Sequence, residues 1–134
     1  MRFMAWHVEY FKAVPTERGR SKISEEASPI DAGEALLVFE SFEKADEQRS
    51  DIVEKSADAI AEIAKSVGAT TIVLNPFAHM FADLSSPEFA QSATIRLAGA
   101  LSGSFDVKKL SFGWFYEIEL KAKGHRLARQ SRIV

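Results

Sequence analysis

The sequence predicts an α/β domain, and three observations carry that reading. A 3.6-residue apolar repeat over about residues 47–67 lies between two short apolar runs, Ala35 to Phe39 and Thr70 to Leu74. A capping signature, Ser85-Ser86-Pro87-Glu88, opens a second helical pattern. Strand-like runs stand near both ends of the chain, at Arg2 to Phe11 and from Phe112 to Lys123.

Each element follows from local patterning. In Arg2 to Phe11, Phe3, Ala5 and His7 share one face while Met4, Trp6, Val8 and Tyr10 share the other. Both faces are largely apolar, as expected of a strand inside a sheet covered on both sides. Thr16 to Gly33 is polar and turn-rich, an expected exposed excursion with at most a short strand. Ala35 to Phe39 is a buried strand, followed by a charged connection through Asp46.

The first helix is expected from Glu47 to Val67, since Val53, Ala57, Ile60, Ala64 and Val67 recur at helical spacing among charged residues. Asp46 or Ser50 is placed to cap its start and Gly68 to end it. Thr70 to Leu74 then reads as a strand, so strand, helix and strand form a crossover with the two strands parallel. In the second helix Ser85 is the expected cap, Glu88 its capping-box partner, and Pro87 sits where helix N–H groups have no acceptor. Phe89, Ala93, Leu97 and Leu101 face the sheet and Gly103 ends the helix. Phe105 to Leu110 is a short strand; the closing strand is aromatic on both sides at first and charged on one face later.

Size and charge bound the function. With 134 residues the chain is read as one domain, residues 1–134. Hydrophobic residues make up 46% and charged residues 27%, the balance of a globular protein. No apolar stretch approaches the roughly 20 residues that cross a bilayer, so a cytoplasmic location without membrane partners is expected. The absence of cysteine excludes disulfides, thiolate nucleophiles and Cys-ligated zinc. Seventeen basic against nineteen acidic residues give a net charge of −2, which argues against a sequence-blind nucleic-acid binder. No acid follows Glu119, however, and Lys121, Lys123, Arg126, Arg129 and Arg132 form a local basic cluster. It reads equally as a solvated segment or as a phosphate-facing patch whose binding weakens with salt.

Asn75-Pro76-Phe77-Ala78-His79 leaves the carboxyl end of a strand just ahead of a helix, where open α/β sheets place ligands. Pro76 restricts the backbone there, so main-chain groups can be held in a fixed array. His79 is placed to act as a base, to donate a hydrogen bond, to orient a ligand or to fill a structural role. His7, His79 and His125 form no ligand-spacing motif, so no metal is expected. No serine lies in a nucleophile elbow and the glycines form no phosphate loop, so no nucleotide cofactor is expected either. In Phe112-Gly113-Trp114-Phe115-Tyr116, Gly113 permits close approach of the backbone to another element or to a ligand. Tyr116 offers a hydroxyl and Phe115 an apolar wall.

Taken together these segments resemble the N-terminal editing domain of archaeal threonyl-tRNA synthetase. The matching residues are His7-x-x-Tyr10, Val38-Phe39 through Phe42-Glu43-Lys44-x-Asp46-Glu47, Pro76-Phe77-Ala78-His79 with Leu84 and Pro87, Phe112-Gly113, Lys123-Gly124-His125, Leu127 and Ser131-Arg132. The resemblance implies a D-aminoacyl-tRNA deacylase-like fold, a mixed β-sheet with two main helices packed against it, paired as a homodimer. It implies hydrolysis of L-seryl-tRNA(Thr) with sparing of the threonyl ester, within or beside the catalytic part of the synthetase. Carried over, the amino-acid pocket involves Phe42, Pro76, Phe77, Ala78 and Ala90, with His79 beside it and Tyr116 and Arg129 near the terminal adenosine; His79 and Tyr116 are the catalytic candidates and Phe115 a further substrate-binding candidate.

Two departures matter. Phe115-Tyr116 stands where the family has a tyrosine–lysine pair, and Arg129 where it has a glutamate. A mechanism that needs the lysine ammonium cannot operate here unchanged. The remaining family proposal is substrate-assisted, with the 2′-hydroxyl of the terminal ribose helping to place or activate water and backbone groups stabilising the oxyanion. Rejection of threonine is then expected to be steric, because attraction to one methyl group discriminates only modestly. A D-aminoacyl-tRNA deacylase and a non-catalytic tRNA-binding or assembly module are the alternatives.

Overall fold

The computed structural model describes residues 1–80 and 83–134, with His79 described by its backbone alone. Strand β1 (Arg2–Arg18) is the axis of the sheet and runs well past the expected end at Phe11. Along one edge it pairs antiparallel with β3 (Ala35–Ser41) and then with β2 (Ile30–Ala32). Along the other it pairs antiparallel with β7 (Arg129–Ile133) and then with β6 (Trp114–Ala122). Strand β4 (Thr71–Pro76) lies parallel to β3, and β5 (Asp106–Lys109) parallel to β4. The sheet is therefore mixed, and the expected parallel crossover is present.

Helices α1 (Ile52–Val67) and α2 (Pro87–Ser102) cover one face. Their apolar sides, including Ile60, Ile63, Ala93 and Leu97, meet Phe3, Ala5, Leu36, Val38, Ile72 and Leu74 of the sheet. Each fully buried aliphatic side chain contributes about 1.5–3 kcal/mol. The other face carries a second core without a helix among the described residues, built on Val8, Phe11, Ala13, Leu37, Phe39, Val73 and Leu110. A bulge between Val8 and Tyr10 explains how β1 feeds this face. One extra residue lets Phe11 and Ala13 continue the face of Val8, and it takes Tyr10 off the face that strict alternation assigns it.

Two helix starts and one strand also depart from expectation. Residues Lys44–Gln48 form a 3-10 turn and α1 begins only at Ile52, its N-cap residue Asp51 making no side-chain cap bond. Asp46 does not cap α1, because it is buried and accepts from the Met1 ammonium at 2.7 Å and the Glu43 N–H at 2.8 Å. At α2 the cap is Ser86, whose hydroxyl accepts the Phe89 N–H at 3.3 Å, so the expected Ser85–Glu88 box does not form; Pro87 opens the helix as expected. Strand β7 was not foreseen, since four of its five residues are polar. Gly68 ends α1 in the left-handed conformation at φ 72°, as expected.

Candidate active site

Parallel pairing of β3 with β4 sets Phe39 beside Asn75 and Glu40 beside Pro76. The Phe77 N–H then donates to the Glu40 carbonyl at 2.8 Å, which carries the ladder one step past the proline. A 3-10 turn, Ala78–Met80, follows. Its leading N–H, on Ala78, has no acceptor among the described residues and is free to meet a ligand.

The opposite wall is the segment from Leu110 to Ile118. Gly113 sits at φ 85°, and a Cβ there would lie 2.5 Å from the Ile23 carbonyl oxygen. The close approach expected of this glycine is thus to the 19–25 loop. Gly19 N–H donates to the Gly113 carbonyl at 2.8 Å, and Trp114 Nε1 donates to the Glu25 carbonyl at 2.9 Å. The Glu25 carboxylate takes the Phe112 N–H at 3.0 Å, Lys109 Nζ and Gln91 Nε2. Burial opposes its ionisation, but Lys109 and the Phe112 N–H hold it below the ordinary carboxylate range. The polar excursion between β1 and β2 is consequently a fixed wall.

Between the walls lies a cavity of about 450 Å³. Its lining is mainly apolar, with Phe39, Phe77, Phe112, Trp114 and Phe115 among its rings. Phe39 and Phe77 meet edge to face with centroids 6.0 Å apart. Tyr116 lines it too, and its hydroxyl oxygen accepts the Ser111 N–H at 3.0 Å, leaving its own proton to donate. Asn75 is 8% exposed at the same cavity, and its carboxamide has no partner among the described residues. Arg20 is the only charged residue in the described lining. Glu40 faces the helices instead: burial raises its carboxyl to about 7, against the opposing pull of the Thr94 hydroxyl and the Lys109 charge.

Residues 1–134 match the archaea-specific editing domain of threonyl-tRNA synthetase. The chain belongs to that family. It is 40% identical over 133 residues to a threonine–tRNA ligase of Methanoculleus marisnigri, a match covering 96% of this chain and 21% of that protein. Against the threonine–tRNA ligase of Methanothrix thermoacetophila it is 36% identical over 137 residues, and against that of Pyrococcus furiosus 34% over 139; each covers 100% of this chain and 22% of the relative. The chain thus spans about a fifth of the length of these relatives.

Within this editing domain the cavity brings together Pro76, Phe77, Ala78, Phe115 and Tyr116. The His79 backbone lies in the adjoining 3-10 turn, while its side chain is outside the described residues. Phe42 and Ala90 do not line the cavity; Phe42 is 2% exposed in the helix-side core, its ring against Phe89. Arg129 pairs with Trp6 and so shares the cavity's sheet face, whereas Arg132 pairs with Phe3 on the helix face.

The remaining basic residues are remote or already paired. Lys121 stands seven residues along β6 from Trp114, roughly 23 Å at strand spacing. Its ammonium meets Glu9 and that of Lys123 meets Glu34, both at 2.9 Å, while Arg126 is exposed on the turn beyond β6. That turn is held by His125, whose Nε2 lies 2.8 Å from His7 Nδ1, and His7 Nε2 lies 2.9 Å from Glu34. Leu127 N–H donates to His125 Nδ1, which leaves His125 Nε2 to donate to His7 Nδ1 and His7 Nε2 to donate to Glu34. These two histidines were not expected to meet. Arg20 and Glu25 were likewise not singled out, and Asn75 only as the residue before Pro76, since an unpaired amide, a lone cavity charge and a loop anchor exist only once the strands are placed.

Proposed function

We propose that this editing domain hydrolyses L-serine from tRNA(Thr), residues 1–134 forming one deacylase domain that acts as a homodimer. The observation that carries this reading is a cavity at the carboxyl ends of β3 and β4 whose described lining offers main-chain groups, aromatic rings and hydroxyls but no carboxylate, lysine or cysteine. Such a lining suits an ester whose own 2′-hydroxyl helps to activate water. The Ala78 N–H is placed to stabilise the oxyanion formed when water adds to the carbonyl carbon. Collapse of that intermediate releases serine and the free ribose hydroxyl. Tyr116 donates its phenolic proton toward the terminal nucleoside, and Phe115 packs against it. Arg129 and the exposed part of the C-terminal basic cluster contact the tRNA backbone, and a stiff Pro76–Ala78 wall leaves no room for the extra methyl group of threonine.

The test is single-turnover deacylation of seryl-tRNA(Thr), with the same ester on tRNA ending in 2′-deoxyadenosine, and with L-threonyl and D-aminoacyl esters. Fast loss of serine from the first alone supports the reading. Equal loss from the deoxy-tRNA removes the hydroxyl's role, and preference for the D-aminoacyl ester replaces serine as the substrate. Sedimentation of the free domain tests the dimer.

A further inference from the structure

Arg20 has a place that neither the family resemblance nor the chemistry above assigns to it. It is exposed at the cavity and is the only charged residue of the described lining. Among the described residues no ion pair engages it, nor its neighbours Arg18 and Lys22, which are exposed on either side. Acidic Glu17 and Glu26 flank this strip without lining the cavity, and the Glu25 carboxylate is turned onto Lys109 and the Phe112 N–H. An unneutralised guanidinium beside an aromatic slot has the form of an anion-recognition group. Its fork matches two oxygens of a phosphate.

The loop is built to hold that group still. Gly19, next to Arg20, is bonded through its N–H to the Gly113 carbonyl, and a Cβ on Gly19 would already stand 3.2 Å from that oxygen. Six residues beyond Gly19, Glu25 anchors the other end to β5, α2 and the turn before β6. The guanidinium therefore projects from a segment fixed at both ends.

We propose that Arg20 binds the 5′-phosphate of the nucleotide seated in the cavity, with Arg18 and Lys22 continuing the positive strip toward the preceding phosphates. The inference rests on the tRNA-ester reading above, which supplies a nucleotide with a phosphate on its 5′ side. It adds the 18–22 loop, next to the cavity, as a phosphate-binding element beside the C-terminal cluster, where Lys121 and Lys123 are ion-paired.

The experiment compares 3′-O-seryladenosine with its 5′-phosphorylated form as minimal esters, using the intact chain and Arg20→Gln. The wild-type protein is expected to prefer the phosphorylated ester by about tenfold in kcat/KM, the weight of one hydrogen bond to a charged group. Arg20→Gln should bring that ratio close to one, and Arg20→Lys should restore part of it. The ratio is internal to each variant, so partial misfolding cannot imitate the result. A wild-type ratio near one, or a ratio retained by Arg20→Gln, overturns the inference. If the wild type cleaves neither ester, the deacylase reading falls. The phosphate site is then decided by equilibrium binding of adenosine 5′-monophosphate against adenosine: a wild-type preference lost in Arg20→Gln supports it, and equal affinities overturn it.

Discussion

Glu25 and Phe112 exchange two hydrogen bonds: the Glu25 N–H donates to the Phe112 carbonyl at 3.1 Å, and the Phe112 N–H donates to Glu25 Oε2 at 3.0 Å. This exchange joins the loop after β1 to the turn before β6 and so closes one wall of the cavity. Truncation by Glu25→Ala keeps the first bond, loses the second and strands Lys109, a partly buried cation. The expected cost is about 2 kcal/mol at pH 7, measured by urea unfolding. Because the folded carboxyl lies below its ordinary value of 4.5, its contribution is present above that value and is lost as pH falls through the folded value. The gap between wild type and Glu25→Ala should accordingly narrow in acid. A gap constant from pH 7 to pH 3 would show that the carboxylate charge adds nothing.

Gly113→Ala tests the same contact from the other side. An L residue at φ 85° is strained, and here the new Cβ also meets the Ile23 carbonyl at 2.5 Å. Gly68→Ala is the control, with a similar φ of 72° and open space around it. The control should lose about 1 kcal/mol and Gly113→Ala at least twice that. Nucleotide affinity should fall as well in Gly113→Ala, since the loop must shift. Equal losses of stability would mean that the loop gives way freely.

The outline of the fold was legible because its signals are local. Helical spacing, Gly68 and Pro87 each act within a few residues, and each holds in the structure. The resemblance likewise pointed to the turn at Pro76–Ala78 and to the aromatic strand. What sequence patterning misses here is set by pairing at long range. Asp46 is drawn from a helix-capping role by a buried contact with the chain's first residue, and the bulge at Glu9 is visible only against β6. Strand β7 is polar on both faces, so only its edge pairing to β1 makes it a strand. Glu25 looked like one acid among several in a loop, and nothing in its neighbours announces Lys109, 84 residues away.

Glu40 predicts an unusual pH dependence. Its carboxyl rises from 4.5 to about 7 in the folded protein, so between those values the folded state holds a proton that the unfolded state releases. Stability attributable to this group therefore falls as pH rises through that window and levels off above it, the reverse of Glu25. A shift of about 2.5 pH units corresponds to about 3 kcal/mol as an upper bound. Glu40→Gln keeps an acceptor for the Thr94 hydroxyl and removes the titration. It should be more stable than wild type at pH 8 and nearly equal at pH 4.5, read from urea midpoints. A difference independent of pH would show that the carboxyl does not titrate in that range.

Asn75 separates stability from function. Its residue is almost buried and its carboxamide finds no partner among the described residues, so folding reduces its contact with water to the cavity side without a protein hydrogen bond in return. Replacement by the near-isosteric leucine removes that desolvation cost and extends the apolar floor formed with Phe39 and Leu110. Asn75→Leu should thus match or exceed the wild type in unfolding free energy by up to about 1 kcal/mol. If the amide hydrogen-bonds the seated nucleoside or ester, the same change lowers kcat/KM for seryl-tRNA by about tenfold. Stability gained together with activity lost is the pattern expected of a group held for its ligand. Stability lost with activity unchanged would assign the amide to the architecture instead.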